Sequence, residues 1–241
     1  MTGAQGAAPA REPGQPSALR AALMKYCVMG LLLTAVLIPG SGRVRWTRAW
    51  LYAVLTVGTQ VAFGIALHRN NPELLVERSR VQKGTKSWDK VLAPAVALVG
   101  TLAIWSTAAW DVRLHWPPPV PVEASAAAFA ICIPSMLFTG WAMMTNRFFS
   151  ATVRIQSERG HVVVDGGPYR FVRHPGYTGA GAFTLASPIA LGSWVALIPA
   201  VLTVAVLMLR TALEDRTLQA ELAGYKDYAG KVRKRLAPGI W

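Results

Sequence analysis

The sequence is poor in charge and especially poor in acidic residues. Charged residues make up 15% of the 241 positions, against about a quarter in ordinary soluble domains, and 12 acidic residues accompany 25 basic ones. Hydrophobic residues make up 53% of the chain and stand in long blocks rather than recurring at helix or strand period, which argues against a soluble domain. The formal charge of +13 also suits nucleic acid, but several apolar spans are rare in nucleic-acid-binding proteins, and we expect no nucleic acid partner.

Cysteine is almost absent, and so are the common motifs of soluble enzymes. Cys27 and Cys132 lie in apolar stretches without a CxxC motif or a Cys/His cluster, which argues against a disulfide framework. His161 and His174 have no third ligand at a suitable spacing, so we predict no metal site. The sequence contains no P-loop, no GxGxxG fingerprint and no nucleophile elbow.

Long hydrophobic segments dominate what is present. A spanning helix needs about 20 mostly apolar residues, and segments 22–39, 47–67, 90–110 and 122–145 meet this requirement. Region 176–212 is longer than one span and is interrupted at Gly192-Ser193, which predicts a hairpin with arms 176–191 and 193–212. The first arm is short, so we expect it to be tilted or to begin in the interface. The prediction is an all-α integral membrane protein with about six transmembrane helices, the last two forming a C-terminal helical hairpin; five spans is the alternative.

The basic residues predict the orientation of these helices. With six spans and a cytoplasmic N-terminus, 21 of the 25 basic residues fall on the inner side. The outer loops then hold Arg43, Arg45, Arg48 and Arg113. Such asymmetry is what the positive-inside rule describes, so we expect both termini in the cytoplasm.

The chain divides into three regions. Residues 1–18 are rich in Gly, Ala, Pro and Gln and are predicted to be a disordered tail. Residues 19–145 hold four transmembrane helices, with an interfacial segment at 72–88 whose weak apolar face is formed by Leu74, Leu75 and Val81. Residues 146–241 hold the hairpin together with two polar segments, 146–177 and 210–241.

The two polar segments flank the hairpin, so their junctions should meet on the inner side. The first contains Tyr169 and an Arg173-His174-Pro175 entry into a helix, followed by glycines that favour close packing. The second begins with the adjacent carboxylates Glu214 and Asp215. Carboxylates near hydrocarbon are costly and usually have a function or a partner. Here they either bind a ligand's hydroxyl or ammonium groups or form a salt bridge to Arg210 or Arg173.

These residues resemble a known family. The run 167–179, with Gly-Pro-Tyr, Val-Arg-His-Pro-Gly-Tyr-Thr-Gly, then the hairpin and Glu214-Asp215, is similar to isoprenylcysteine carboxyl methyltransferases. The tail with Gly224-Tyr225, Tyr228 and Arg235-Leu236 looks like the family's C-terminal signature. The resemblance covers roughly 146–241. It implies a multi-span methyltransferase that uses S-adenosylmethionine, held in a cytosolic loop and a C-terminal helix, while the methyl acceptor arrives through the bilayer.

The resemblance also implies site residues. Arg173 and Arg210 are the candidate catalytic residues; Arg210 lies close to a family arginine that faces the substrate, although its spacing to the acidic pair differs. The implied cofactor-binding residues are His161, Val162, Val163, Val164, Tyr169, His174, Pro175, Gly176, Tyr177, Glu214 and Asp215. This chain has Asp at the second acidic position where many relatives have Glu, which leaves open which carboxylate bonds the cofactor.

The expected function is methyl transfer to a lipophilic small molecule or lipidated acceptor, an isoprenylcysteine-like carboxylate being the leading one. The sulfonium methyl is already activated, so such an enzyme needs mainly alignment and a dry site. A phospholipid amine or a small thiol is an alternative acceptor. An NADPH-dependent membrane reductase and a non-enzymatic membrane scaffold are alternatives of other classes. We expect the protein to lie among membrane lipids in a bacterial plasma membrane. The chain is shorter than the eukaryotic enzymes and has fewer spans, so the transfer of their substrate to this chain is the least supported step.

Overall fold

The structure, a computed structural model, describes residues 15–79, 84–237 and 241. These residues form eight helices and no β-sheet. The helices are α1 Gln15–Ser41, α2 Thr47–Asn70, α3 Pro72–Ser79, α4 Asp89–Leu114, α5 Val122–Thr145, α6 Pro175–Leu191, α7 Leu197–Glu221 and α8 Tyr225–Lys231. Within α4, residues Ala95–Gly100 follow Pro94 and are π-helical. The all-α prediction is confirmed for the described residues.

Five of the described helices are long and apolar enough to cross a membrane. They are α2, α4, α5 and α7, together with Ala18–Ser41 of α1. The chain is therefore a multi-pass integral membrane protein. The predicted sixth span is helix α6, which has 17 residues and is not among the five. At 1.5 Å per residue it is about 25 Å long, somewhat less than the roughly 30 Å hydrocarbon thickness.

Contacts between helix ends show that α6 runs along the bundle beside α4 and α7. At one end, Asp89 at the start of α4 pairs with Arg210 of α7, and Arg173 just before α6 pairs with Asp215. At the opposite end, Ser193 after α6 donates to Asp111 near the end of α4 at 2.5 Å. We call the end with Asp89, Arg173 and Arg210 the polar end.

Helices α5 and α6 pack closely because of a glycine. A Cβ at Gly179 would lie 2.4 Å from the backbone oxygen of Ser135 and 2.3 Å from Oγ1 of Thr139. Any side chain there would push α6 away from α5. This glycine therefore serves helix packing, one of the two uses expected for the small residues after Pro175.

Several predicted boundaries differ from the observed ones. The predicted tail 1–18 falls outside the described residues up to position 14, and residues 15–18 begin α1. In the segment 72–88, helix α3 ends at Ser79, and Val81 lies outside the described residues. Leu74 and Leu75 are fully buried in a cluster with Leu67 and Met143, because α3 packs against the bundle. Helix α7 continues to Glu221, so the acidic pair lies within it.

Candidate active site

The two polar segments meet at the polar end, around the buried carboxylate of Asp215. Arg173 binds it with two hydrogen bonds, from Nε at 2.7 Å and from Nη2 at 2.9 Å. Arg235 donates to it from Nε at 3.0 Å, and Gln219 donates from Nε2 at 2.8 Å. The predicted meeting of the segment before the hairpin with the acidic pair after it is therefore observed.

The C-terminal segment lies along the entry to α6 and fixes it. The backbone amides of Arg173 and His174 donate to the carbonyls of Lys234 and Arg235, both at 2.9 Å. The hydroxyl of Thr178 donates to the Leu236 carbonyl at 2.6 Å. This segment thus satisfies backbone groups that the turn before α6 would otherwise leave unpaired.

Helix α8 attaches to the same region through the two tyrosines of the tail signature. Tyr228 donates to the carbonyl of Tyr169 at 2.7 Å, and Tyr225 donates to Asp215 at 3.2 Å. Burial raises the pKa of both phenols, and nearby carboxylates raise that of Tyr225 further. Both remain protonated donors at neutral pH, so α8 stays hydrogen-bonded to the α6 entry.

The loop 146–165 folds over the polar end without a strand. Gln156 is almost fully buried and donates to the Phe148 carbonyl at 2.8 Å. The His161 ring packs on the Phe148 ring, with 4.5 Å between the ring centroids, and its Nδ1 accepts from the backbone amide of Gln156. Burial lowers the pKa of His161 to about 4, and the nearby Arg154 and Arg159 contribute. The imidazole is therefore neutral at pH 7.

A cavity of about 340 Å³ lies between this loop and helices α5 to α8. Its volume is in the range of small-molecule and cofactor pockets. Of the residues predicted for the site, those that line it are Arg173, Arg210, His161, Val162, Val163, Val164, Tyr169, His174, Gly176, Tyr177 and Glu214. Pro175 and Asp215 do not line it in this structure. The assignment of cofactor-binding and catalytic roles to these residues stays a prediction.

The two adjacent carboxylates face different surroundings. Glu214 lines the cavity, where its Oε2 accepts from the Tyr177 hydroxyl at 2.5 Å. Asp215 is fully buried and is surrounded by the donors already described. In this geometry Glu214 is the carboxylate available to a ligand, while Asp215 joins α7 to the segments on either side of it.

Arg210 is held at the edge of the cavity by a residue that sequence reasoning missed. Its Nε and Nη2 donate to the buried carboxylate of Asp89 at 2.6 and 3.1 Å, and Nη2 also donates to the Ala151 carbonyl. The guanidinium carbon lies 5.2 Å from the centroid of the Tyr177 ring. The available signal was the acidic residue at the start of a spanning helix, which is costly without a partner.

The cavity reaches from the polar end into the spanning helices. At its inner side it is lined by Ala97 of α4, Thr139 of α5 and Ala180 of α6. A second cavity of about 190 Å³ lies between α1, α2, α4 and α6 and shares Ala97 with the first. Ala97 itself is exposed and belongs to the π-helical part of α4, where backbone irregularity often accompanies function. Ala97 therefore lies at the boundary between the polar site and the second cavity.

Comparison with known families is consistent with this geometry. Residues 127–220 match the model of the isoprenylcysteine carboxyl methyltransferase (ICMT) family. This part of the chain is an ICMT-family domain. The match begins in α5 and ends in α7, so it includes the α6 entry and the acidic pair, whereas α1 to α4 and the C-terminal tail lie outside it. No curated protein matches the chain.

The match to the ICMT family indicates the class of activity. The family uses S-adenosylmethionine as methyl donor, so the predicted methyltransferase activity and its cofactor are confirmed at the level of the family. Together with the five candidate spans, the match describes a membrane methyltransferase. It also favours this class over the reductase and the scaffold.

Proposed function

We propose that this ICMT-family protein methylates the carboxylate of a lipophilic acceptor of the isoprenylcysteine type. The observation that carries the proposal is the continuity of one cavity. Its polar side is lined by Glu214, His174 and the loop 161–164, and its inner side by Ala97 and Ala180. A water-soluble cofactor would therefore reach the site from the aqueous side, and a lipid-borne acceptor would reach it from the bilayer.

The chemistry of the lining fits S-adenosylmethionine. Glu214 would bind its ammonium or ribose hydroxyls, because a carboxylate accepts from such donors. The apolar stretch 162–164 and the rings of Tyr169, Tyr225 and Tyr228 would enclose the adenine. The start of α6 at Gly176 would accommodate negative charge, since helix N-termini favour it.

The residues of the chain align and shield the reactants. When bound, S-adenosylmethionine would supply an already activated sulfonium methyl group, whose transfer to a carboxylate would need neither a proton nor an oxidant. Arg173 positions the α6 entry through Asp215, and Arg210 borders the cavity next to Tyr177. The loop 146–165 and α8 exclude water from the site.

We further propose that the polar end faces the cytoplasm and that α6 completes a sixth pass in a bacterial plasma membrane. Six alternating passes would place both termini on the same side. The excess of basic residues at the polar end supports the cytoplasmic side. A cysteine introduced at exposed Arg43 should react with a membrane-impermeant maleimide added to intact cells, whereas a cysteine at exposed Asp227 should react only after the cells are opened.

Methyl transfer into membrane lipids tests the acceptor class. Membranes containing the protein are incubated with methyl-labelled S-adenosylmethionine, and the labelled product is extracted and treated with mild base. We expect base-labile label, because a methyl ester releases methanol whereas N- and S-methyl groups do not. Base-stable label would instead indicate a phospholipid amine or a thiol acceptor, and Glu214→Gln serves as the inactive control.

A further inference from the structure

A cation that has no carboxylate partner among the described residues lines the proposed active site outside the ICMT-family match. Four arginines line the larger cavity among the described residues, and three of them pair with carboxylates. Those pairs are Arg154 with Glu77 and Glu158, Arg173 with Asp215, and Arg210 with Asp89. The fourth, Arg78 in α3, makes no ion pair with any carboxylate in the described part of the chain.

Arg78 is oriented by a backbone group and a ring. Its Nη1 donates to the carbonyl of Phe149 at 3.2 Å, and its guanidinium carbon lies 5.6 Å from the centroid of the Phe149 ring. A Cβ added at Gly176 would lie 2.6 Å from the same ring, so the ring packs directly against this glycine. Phe149 therefore connects Arg78 directly to the start of α6, where the cofactor is proposed to bind.

Keeping this charge in the site destabilises the folded protein. Burial lowers the pKa of Arg78 below its ordinary value, and its interactions with Tyr26 and Tyr177 oppose this only in part. Burial acts on Arg173 too, but the hydrogen bond to Asp215 raises the pKa of that arginine above its ordinary value. A partly buried guanidinium without an anion is costly, and a ligand that brings an anion removes the cost.

We propose that Arg78 binds the carboxylate of the methyl acceptor and thereby selects an anionic acceptor over an amine or a neutral thiol. This rests on the proposed function, whose acceptor it specifies. A guanidinium binds a carboxylate with parallel hydrogen bonds and fixes the direction of the oxygen that attacks. Methylation converts the carboxylate to a neutral ester, so the ion pair is lost and the product leaves more readily. Arg78 acts as a substrate-binding residue supplied by α3, a helix outside the matched domain.

Arg78→Gln and Arg78→Lys test this role, and Arg170→Gln, at an exposed arginine that does not line the cavity, is the matched control. The probes are N-acetyl-S-farnesylcysteine and its primary amide, which differ in charge at the reacting group. Methyl transfer gives KM and kcat for the carboxylate. Thermal stability in the presence of S-adenosylhomocysteine reports binding of both probes without catalysis.

We expect Arg78→Gln to raise KM for the carboxylate at least tenfold while the stabilisation by S-adenosylhomocysteine is unchanged. The wild type should be stabilised more by the carboxylate than by the amide, and this preference should vanish in Arg78→Gln, partly return in Arg78→Lys and persist in Arg170→Gln. The proposal is overturned if Arg78→Gln keeps the preference, or if it loses binding of the cofactor product as well, which would indicate a structural role.

The two proposals fail in different ways. A wild type that makes no methyl ester but prefers the carboxylate through Arg78 would refute the proposed transfer reaction and leave the Arg78 site intact. A wild type that methylates the probe, with equal stabilisation by acid and amide, would refute the role of Arg78 alone. A wild type with neither property would refute both.

Discussion

Asp215→Asn should destabilise the polar end even when no ligand is bound. The substitution keeps the shape of the side chain but replaces one acceptor oxygen by a donor NH₂ group. Oδ2 of Asp215 now accepts from Arg173, Gln219 and Arg235, so an amide nitrogen at that position would face three donors. At Oδ1 the remaining oxygen would still accept from Arg173 and Tyr225, but without a negative charge.

The size of the effect follows from the loss of a buried counter-charge. Asp215 is fully buried and the side chain of Arg173 is nearly so. Removing one partner of a buried ion pair typically costs about 3–5 kcal/mol, because the other charge is left unpaired. We expect Asp227→Asn, at an exposed carboxylate of α8, to change stability by less than about 0.5 kcal/mol, the usual range for surface sites.

Thermal unfolding of the detergent-solubilised protein without ligand measures the difference. Asp215→Asn should lower the midpoint by several degrees relative to both the wild type and Asp227→Asn. It should also expose the C-terminal segment to limited proteolysis, since Arg235 loses its partner. An unchanged midpoint would refute the view that Asp215 joins α7 to the α6 entry, and would return it to the candidate ligands of the cofactor.

Three further changes separate ligand binding from architecture. Glu214→Gln should leave the thermal unfolding midpoint of the ligand-free protein nearly unchanged but weaken S-adenosylhomocysteine binding roughly ten- to hundredfold, because a charge-assisted hydrogen bond contributes about 1.5–3 kcal/mol. Calorimetric titration measures this affinity, and equal affinity would exclude Glu214 from the cofactor site. Ala97→Phe should reduce methyl transfer to farnesyl more than to geranyl acceptors by filling the inner side of the larger cavity, whereas lipid-exposed Val99→Phe should not. Parallel losses in both variants would argue against acceptor binding at that place. The pKa of His161 is about 4 in the folded protein and 6.5 ordinarily, so between these pH values the unfolded chain binds a proton that the folded chain does not. Stability should therefore fall as pH is lowered from about 6.5 to 4. His161→Gln should flatten this part of the profile, and an unaltered slope would mean that other groups cause it.

Local sequence properties were sufficient for the elements and for the region of the site. The spans follow from runs of apolar residues, since each run must itself be long enough to cross hydrocarbon. The pairing of 146–177 with 210–241 follows from the hairpin between them, whose short turn returns the chain to the same end. The Arg-His-Pro entry and the acidic pair were found because they are compact motifs.

The roles of Glu214 and Asp215 could not be separated in this way. Neighbours on a helix differ by about 100° in direction, so one of two adjacent carboxylates can face a cavity while the other faces protein. Which one does so depends on how α7 is rotated against α6 and α8. The sequence therefore identified the pair, and helix packing assigned the cavity to Glu214 and the buried network to Asp215.

Local sequence properties could not predict which residues of the first half of the chain contact the site. Asp89 reaches Arg210 across 121 positions, and Arg78 reaches Phe149 across 71. Such contacts depend on the packing of α3 and α4 against the C-terminal helices, which hydropathy and motif spacing do not encode. The sequence by itself determined a helical membrane protein with a polar site at one end. The tertiary structure decided which of the described charges at that site are paired with carboxylates and that Arg78 is not, because such pairs form between residues far apart in the sequence.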